Sequence, residues 1–464
     1  MSRPYEALRS LARRIGLDHA ILYTVLARGV SILVSTGTVL WITYCMNPVE
    51  QGYYYTLLSL VSLQIVFELG FSFVVLQMAA HTCVELTFLP GGRIEGSEAA
   101  RWRLASLLRT SLHWYLGAGA VMLLLLPPAG YLFFMRHRSA APGIGWQWPW
   151  MLAALACVLF FIVNPIFSFL EGCGQVRQVA LMRFCQALAV PFFSWSVIIA
   201  HKGLFSPGLV IVAQLLVAGG FLFTRRRLLW GLLRMRSQLA GVHWRREIWP
   251  FQWKIAISWL CSYFTMQIFI PILFAVRGPR EAGQMGMSLS IIGYLGTFML
   301  AWINTKAPSF GNLVAQGNFA ELDELFFLTL RQALALLLIL CVLCETGLLL
   351  LDAYYARLGQ RLVSPAVLAL LLLAGVSSFV IQSMAIYLRS FRREPYLYQS
   401  LTVAALTLVF SWLLARPYGN TGVALSYFFC TGIVGLLSAG AIFVSWRRRH
   451  TRPPEAAFPE GGPA

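Results

Sequence analysis

Three ionisable side chains lie inside apolar stretches that are each long enough to cross a membrane: Arg28, Glu68 and Arg183. Each of the two arginines is about eight residues into its stretch, roughly 12 Å from the inner face, and Glu68 lies slightly deeper. An ionised group in mid-bilayer costs at least ~2.5–3.5 kcal/mol on the insertion scale, so it normally faces a partner or a water-filled cavity. A guanidinium stays charged and makes paired hydrogen bonds to phosphate oxygens. Arg28 and Arg183 are therefore candidate ligands for a phosphate-bearing group.

A second interpretation of the same residues needs no ligand. Arg28 pairs with Glu68 across the first helical hairpin, and each neutralises the other. Arg183 extends towards the inner surface or binds helix carbonyls. Glu68 fits both interpretations, either as a counter-ion to Arg28 in the empty protein or as a protonatable coupling group.

Four shallower cations lie near the inner mouth of the predicted bundle: Arg109, Lys254, Lys306 and Arg331. Positive charge at this mouth would concentrate an anionic substrate there by electrostatic attraction. The alternative is that these side chains anchor helix ends among lipid phosphates, which is the ordinary role of flanking Lys and Arg.

Composition indicates the elements that must position these residues. The chain has 464 residues, of which 58% are hydrophobic and 12% charged, and its mean hydropathy is +0.70. These values are typical of an all-α, polytopic membrane protein. With about 20 apolar residues needed per crossing, the sequence predicts twelve spans. They are 20–46, 52–80, 104–135, 148–171, 175–200, 207–224, 249–276, 283–303, 325–352, 364–389, 394–415 and 420–446.

The basic middle of the chain, from Arg225 to Lys254, sets the expected orientation. It carries seven arginines and one lysine, and a segment of this charge stays in the cytoplasm under the positive-inside rule. Apolar residues recur among these arginines at roughly helical spacing, which favours an amphipathic helix on the inner leaflet over a solvated loop. The resulting plan has five parts: a basic cytoplasmic N-terminus (1–19), an N-lobe (20–224), an amphipathic connector (225–248), a C-lobe (249–446) and a disordered cytoplasmic tail (447–464).

The two halves also share a short pattern. Five residues of the first half recur at one constant offset in the second: Pro48 and Pro279, Glu50 and Glu281, Gly52 and Gly283, Ser59 and Ser290, and Phe67 and Phe298. Both copies begin on the same side of the membrane. The repeat would therefore relate two six-helix lobes by a pseudo-two-fold axis along the membrane normal, as in transporters whose lobes rock about a central site.

The sequence resembles the polysaccharide and oligosaccharide flippases of the MOP exporter superfamily. The resemblance rests on Arg28 in the first span, on the segment from Pro48 to Tyr55, on Phe67-Glu-Leu-Gly-Phe, and on Glu281-Ala-Gly opening the eighth span. It implies alternating access and a substrate in which a polyprenyl pyrophosphate carries sugars. On this basis Arg28 and Arg183 would bind the pyrophosphate, and the lipid-linked oligosaccharide would move from the cytoplasmic to the outer leaflet of a bacterial inner membrane.

Two other functions stay open at this point. A multidrug extruder of the same superfamily would need buried carboxylates in its transport lobe, and the first span has Arg28 and no acid. A membrane polysaccharide polymerase or ligase would need a large outer loop, whereas the predicted outer loops are short. The scattered cysteines and histidines predict no metal site, and the absence of a phosphate-binding loop predicts no ATP hydrolysis. We expect no cofactor, no enzymatic activity and no nucleic acid; the expected partners are membrane lipids, the lipid-linked oligosaccharide and polysaccharide assembly proteins.

Overall fold

The structure is a computed structural model that describes residues 19–88, 94–137, 143–235, 242, 244–391 and 395–450. Nearly all of this part of the chain is helical. A helix pairs its backbone N–H and C=O groups within one segment, which an apolar chain needs inside hydrocarbon. The chain divides into two compact units, Met1–Gly286 and Met287–Ala464. Residues 1–18 of the predicted N-terminal segment lie outside the described residues, as does the tail from 451 onwards.

The first unit contains ten helices and the start of an eleventh among its described residues. They are α1 (His19–Cys45), α2 (Pro48–Val61), α3 (Gln64–Glu68), α4 (Phe71–Cys83), α5 (Glu98–Arg136), α6 (Gln147–Gly172), α7 (Val176–Ile199), α8 (Ser206–Arg234), α9 (Trp249–Met266), α10 (Phe269–Arg277) and the beginning of α11 (Pro279–Gln316). Strands β1 (Leu86–Phe88) and β2 (Ile94–Gly96) pair in antiparallel fashion between α4 and α5. A π-helical turn, Trp244–Ile248, precedes α9.

The second unit contains the rest of α11 and the remaining helices. These are α12 (Phe319–Tyr354), α13 (Ala356–Gly359), α14 (Pro365–Arg389), α15 (Leu397–Tyr427), a π-helical segment Phe428–Gly435, and α16 (Leu436–His450). A core of buried residues, including Phe310, Phe326, Tyr387 and Phe443, joins α11, α12, α14 and α16. The side chain of Asp323 on α12 lies at the rim of this core.

Helices of membrane-spanning length confirm the predicted class. In the described chain, nine helices are long and apolar enough to cross a membrane, and a bent pair formed by Pro48–Glu68 and Phe71–Cys83 adds a tenth. The predicted seventh span, 249–276, is divided into the shorter helices α9 and α10. The predicted spans 394–415 and 420–446 are counted within a single helical run, Leu397–Arg449.

That helical run reverses direction at Gly419. The backbone of Gly419 has φ 55° and ψ −131°, which is not helical. The hydroxyls of Ser411 and Ser426 lie 2.9 Å apart, whereas fifteen residues of continuous helix would separate them by about 22 Å. Close packing at the turn leaves no room for a side chain at Gly422, whose added methyl would lie 2.1 Å from the Leu414 carbonyl oxygen. The run is therefore a helical hairpin, as the two predicted spans require.

The same polar pairing occurs in the first unit. There the hydroxyls of Ser194 on α7 and Ser206 on α8 lie 2.8 Å apart. In each unit a glutamine of the earlier helix also donates to a backbone carbonyl of the later one: Gln186 to Gln214 at 3.0 Å, and Gln399 to Gly435 at 3.2 Å. Both hairpins thus use one hydroxyl pair and one amide-to-backbone bond.

Helix α8 differs from its prediction at its C-terminal end. It does not stop at residue 224 but continues through the first basic residues to Arg234. Leu228 and Leu232 are buried on one face of this extension, while Trp230 and Arg234 are exposed on the other. The predicted amphipathic character is therefore present as an extension of a spanning helix. Residues 236–241 and 243 of the connector lie outside the described part.

Candidate functional site

Arg28 lies on α1, which packs mainly against α7. Three contacts hold the pair of helices together. The rings of Tyr23 and Phe184 stack with centroids 6.3 Å apart, and the indole N–H of Trp195 donates to the Thr38 hydroxyl at 2.9 Å. A methyl group at Gly37 would lie 2.6 Å from the Trp195 ring, so glycine permits the close approach.

The Arg28 side chain is exposed on this helix. Within the described residues it has no hydrogen bond, ion pair or cation–π partner, and in particular no ion pair joins it to Glu68. No described residue therefore occupies the guanidinium donors of Arg28.

Arg183 is on α7, next to the Phe184 ring that contacts α1. Its guanidinium lies 3.0 Å from the Glu171 carboxylate, near the end of α6. The Arg183 side chain is 53% exposed and that of Glu171 only 17%, so half of the arginine surface is accessible although its charge is compensated. The tight turn between the helices, with Gly174 at φ +77°, brings the two residues together. The sequence did not indicate Glu171 as the partner of Arg183, because the turn between α6 and α7, and not the spacing of the two residues in the sequence, brings them together.

Glu68 is the last residue of α3, directly before a break in the helix. Leu69 and Gly70 have φ of 50° and 65°, in the left-handed region, and α4 then continues at an angle of 47° to the preceding helices. A non-glycine residue such as Leu69 rarely adopts this conformation. The predicted span 52–80 is therefore present as two helices joined at a bend, and the break places Glu68 at the C-terminal end of the first of them.

Two buried hydroxyl groups face the Glu68 carboxylate. Ser72 on α4 and Tyr115 on α5 are neighbours of the carboxylate, and their own hydroxyl oxygens are 2.7 Å apart. The three residues form a compact polar cluster, which we call the Glu68 cluster. The sequence identified Glu68, which Leu69 and Gly70 follow, as a candidate residue. No pattern in the sequence indicated that Tyr115 lies near it.

Aromatic side chains, one of them from the connector, pack beside the Glu68 cluster. Phe71 stacks on Tyr115 with centroids 5.8 Å apart, and Trp244 of the connector contacts Phe71 at 4.8 Å. Trp244 also stacks on Trp114, with centroids 4.5 Å apart and planes at 20°. The connector is therefore anchored beside the helix break.

Arg109 does not face open space at the inner mouth. Its guanidinium donates to the backbone carbonyl of Leu233 at 2.7 Å and 3.2 Å and to that of Met235, and it lies 5.2 Å from the centre of the Trp102 ring. A cation at a helix C-terminus satisfies carbonyls that have no intrahelical partner and interacts favourably with the helix dipole. In this structure Arg109 caps α8.

Two further contacts attach the connector to α5. Arg103 binds Glu247 at 2.5 Å, and the Ser106 hydroxyl accepts the Val242 N–H at 3.0 Å. Of the other predicted inner-mouth cations, Lys306 on α11 and Arg331 on α12 are exposed in the second unit. The Lys254 side chain lies outside the described part. The structure thus brings Arg28 and Arg183 onto two packed helices, and within the described residues no ion pair joins Arg28 to Glu68.

No protein-family model matches this sequence, and a search of curated proteins finds no significant match. Solved structures do match over nearly the whole chain. An inward-facing multidrug resistance MATE family transporter of the MOP superfamily aligns with a TM-score of 0.57 at 13% identity, covering 90% of this chain and 98% of that one. The lipid II flippase MurJ, in an inward closed conformation, aligns with a TM-score of 0.55 at 13% identity, covering 93% and 89%.

A MOP superfamily transporter from Pyrococcus furiosus aligns equally well, with a TM-score of 0.55 at 13% identity over 93% of this chain and 95% of that one. At such identities the similarity establishes the fold and leaves the substrate open. Both multidrug transporters and a lipid flippase share the fold. The chain is a multi-pass membrane protein with the fold of the MOP superfamily transporters.

Proposed function

We propose that this protein belongs to the MOP superfamily and is a flippase for a polyprenyl-pyrophosphate-linked oligosaccharide. It moves the substrate from the cytoplasmic to the outer leaflet of a bacterial inner membrane by alternating access, in the synthesis of a cell-surface polysaccharide. Its termini are cytoplasmic, and no covalent chemistry is involved. Membrane lipids and polysaccharide assembly proteins are its expected partners.

The observation that supports this proposal most directly is that Arg28 is exposed and has no acidic partner among the described residues. Arg28 is exposed and lies within the apolar span Leu26–Cys45, where a guanidinium has a high cost in hydrocarbon unless water or an anion meets it. In the described residues no acid compensates Arg28. A pyrophosphate offers several oxygens to its paired donors and supplies the missing negative charge.

Arg183 contributes a second cation to the same pair of helices. Its pairing with Glu171 at 3.0 Å leaves it half exposed, so a pyrophosphate can compete with the carboxylate for the guanidinium. Exchange of partners of this kind favours release as well as binding, because Glu171 recovers Arg183 when the substrate leaves. Lys306 and Arg331, which are exposed cations, attract the anionic substrate to the inner mouth.

The test uses cells depleted of the protein and complemented with variants. Leaflet-resolved analysis of polyprenyl-pyrophosphate-linked sugars should show completed units accumulating on the cytoplasmic side in depleted cells and in cells carrying Arg28→Gln. Arg136→Gln, an exposed arginine at the far end of α5, is the matched control and should restore transport. Normal transport by Arg28→Gln at native protein level would contradict the assignment of Arg28.

A multidrug extruder is the second candidate, and the Glu68 cluster is the observation that favours it. Glu68 is a half-buried carboxylate with two hydroxyl neighbours and no cationic partner among the described residues. Such a group suits a cationic drug or a coupling proton better than a pyrophosphate. If depleted cells become sensitive to lipophilic cations while their lipid-linked sugars remain normally distributed, this function replaces the flippase.

A further inference from the structure

The starts of α2 and α11 pack directly against each other. A methyl group added to Gly52 would lie 1.8 Å from the carbonyl oxygen of Pro279, and one added to Gly283 would lie 2.8 Å from the Gly52 nitrogen. The Gln51 amide donates to the Gly283 carbonyl at 3.0 Å. Distances this short leave no space for a side chain at either glycine.

The contact continues one turn further along both helices. There a methyl group at Gly286 would lie 2.5 Å from Cβ of Tyr55. Gly52, Gly283 and Gly286 are all buried, and so is Tyr55. Two successive turns of α11 therefore pack closely against two successive turns of α2, and the positions of Gly52, Gly283 and Gly286 leave no space for a side chain.

The residues in contact are repeat equivalents. Gly52 corresponds to Gly283, and Tyr55 corresponds to Gly286 at the same offset. A two-fold rotation that carries the first copy onto the second also carries the second onto the first. A residue that touches its own equivalent must therefore lie beside the rotation axis. For a parallel repeat this axis runs along the membrane normal, as does the substrate path of an alternating-access carrier.

We propose that Gly52 and Gly283 form the outer gate of the transport path, and that the structure shows this gate closed. Both glycines follow the turns that precede Pro48 and Pro279, which lie on the outer side in the proposed orientation. Opening towards the outside separates α2 from α11 here, and closure requires two backbones to meet. A side chain at Gly52 would oppose closure and leave the outward-open state almost unaffected. This inference rests on the proposed transport function.

The experiment measures access from outside without using substrate. In a background where the nine native cysteines are replaced by serine, Ser59→Cys places a thiol about 10 Å below Gly52 on α2. Ser59 is buried at 1% exposure, with its hydroxyl 2.5 Å from the Gln267 carbonyl. We expect Gly52→Val to raise the rate of labelling by a membrane-impermeant maleimide about tenfold, because overpacking shifts the equilibrium away from closure.

Gly293→Val is the matched control on α11, because an added methyl at Gly293 would have no atom within 4 Å. It should leave the labelling rate unchanged. If Gly52→Val does not reach the membrane, Gly52→Ala and Gly283→Ala, which add one methyl each, are measured instead and should raise the rate in the same direction. Equal labelling in the Gly52 variants and the control overturns the gate.

Labelling and the distribution of lipid-linked sugars together test the gate and the flippase function separately. Increased labelling together with normally distributed lipid-linked sugars in depleted cells would support the gate and contradict the proposed substrate. Unchanged labelling together with sugars trapped on the inner leaflet would contradict the gate and leave the flippase supported.

Discussion

The Arg183 guanidinium lies 3.0 Å from the Glu171 carboxylate, across the turn between α6 and α7. This pairing makes Arg183 a different kind of cation from Arg28, which has no partner among the described residues. In the proposed function, a substrate must displace Glu171 to bind Arg183, whereas it needs to displace no described residue to bind Arg28.

Removing the Glu171 charge should therefore strengthen binding of an anionic substrate. An ion pair as exposed as this one is worth about 1 kcal/mol or less, so Glu171→Gln should lower the dissociation constant for a polyprenyl-pyrophosphate sugar by about two- to fivefold. Native mass spectrometry of purified protein in detergent measures this change. Glu324→Gln, an exposed acid on α12, is the control. Weaker binding by Glu171→Gln would show that Arg183 does not contact the substrate.

A half-buried polar cluster at the rim of the core of the second unit should govern the stability of this unit. The Asp323 carboxylate accepts hydrogen bonds from Tyr387 at 2.7 Å and from Arg447 at 2.6 Å and 2.8 Å. It thereby joins α12, α14 and α16. Asp323→Asn should lower the free energy of unfolding by about 1.5–3 kcal/mol, because it weakens charge-assisted bonds and leaves Arg447 uncompensated.

Thermal unfolding of purified protein in detergent measures the effect of Asp323→Asn. Arg448→Gln, which removes an exposed neighbouring charge, should leave the unfolding temperature unchanged. A similar unfolding temperature for both variants would mean that the cluster does not hold the three helices together.

Close packing at Gly130 gives a second stability prediction. A methyl group there would lie 2.0 Å from the Trp150 ring, which is fully buried and donates its N–H to the Pro127 carbonyl at 2.8 Å. Because the indole is held in place, it cannot move aside. Gly130→Val should therefore destabilise the protein by about 1–3 kcal/mol or more.

The same helix offers the comparison for Gly130→Val. Gly117 on α5 has no atom within 4 Å of an added methyl. Gly117→Val should leave the unfolding temperature close to that of the unaltered protein. Equal loss of stability in both variants would indicate a general effect of valine in α5 instead of a clash with Trp150.

The anchoring of the connector should depend on Trp244. Its contacts with Phe71 and Trp114 are aromatic pairs of a kind worth about 0.5–1.5 kcal/mol beyond burial. Trp244→Ala should therefore speed tryptic cleavage after Arg245 and Arg246 by about three- to tenfold. Limited proteolysis in detergent, followed by mass spectrometry, gives the rate. Trp230→Ala, at a ring 56% exposed, should leave cleavage unchanged.

Much of the fold could be predicted because its causes are local. Apolar length predicted the spanning helices, and even the hairpin at Gly419 agrees with two separate spans. The break at Leu69 could not be predicted, since a left-handed leucine depends on neighbouring contacts and not on its own preference. The C-terminal end of α8 was missed for a similar reason: its last carbonyls are capped by Arg109, which is distant in sequence.

The candidate site, like the fold, was predictable only where its cause is local in the sequence. The sequence by itself determined that Arg28, Glu68 and Arg183 lie within apolar spans, because the cost of burying a charge marks each one without knowledge of its neighbours. Only the tertiary structure decided their partners: Glu171 for Arg183, Ser72 and Tyr115 for Glu68, and no described partner for Arg28. It also placed Gly52 against Gly283. Hydrogen bonds, ion pairs and close packing act over a few ångströms, and the folded chain alone sets which residues come that near.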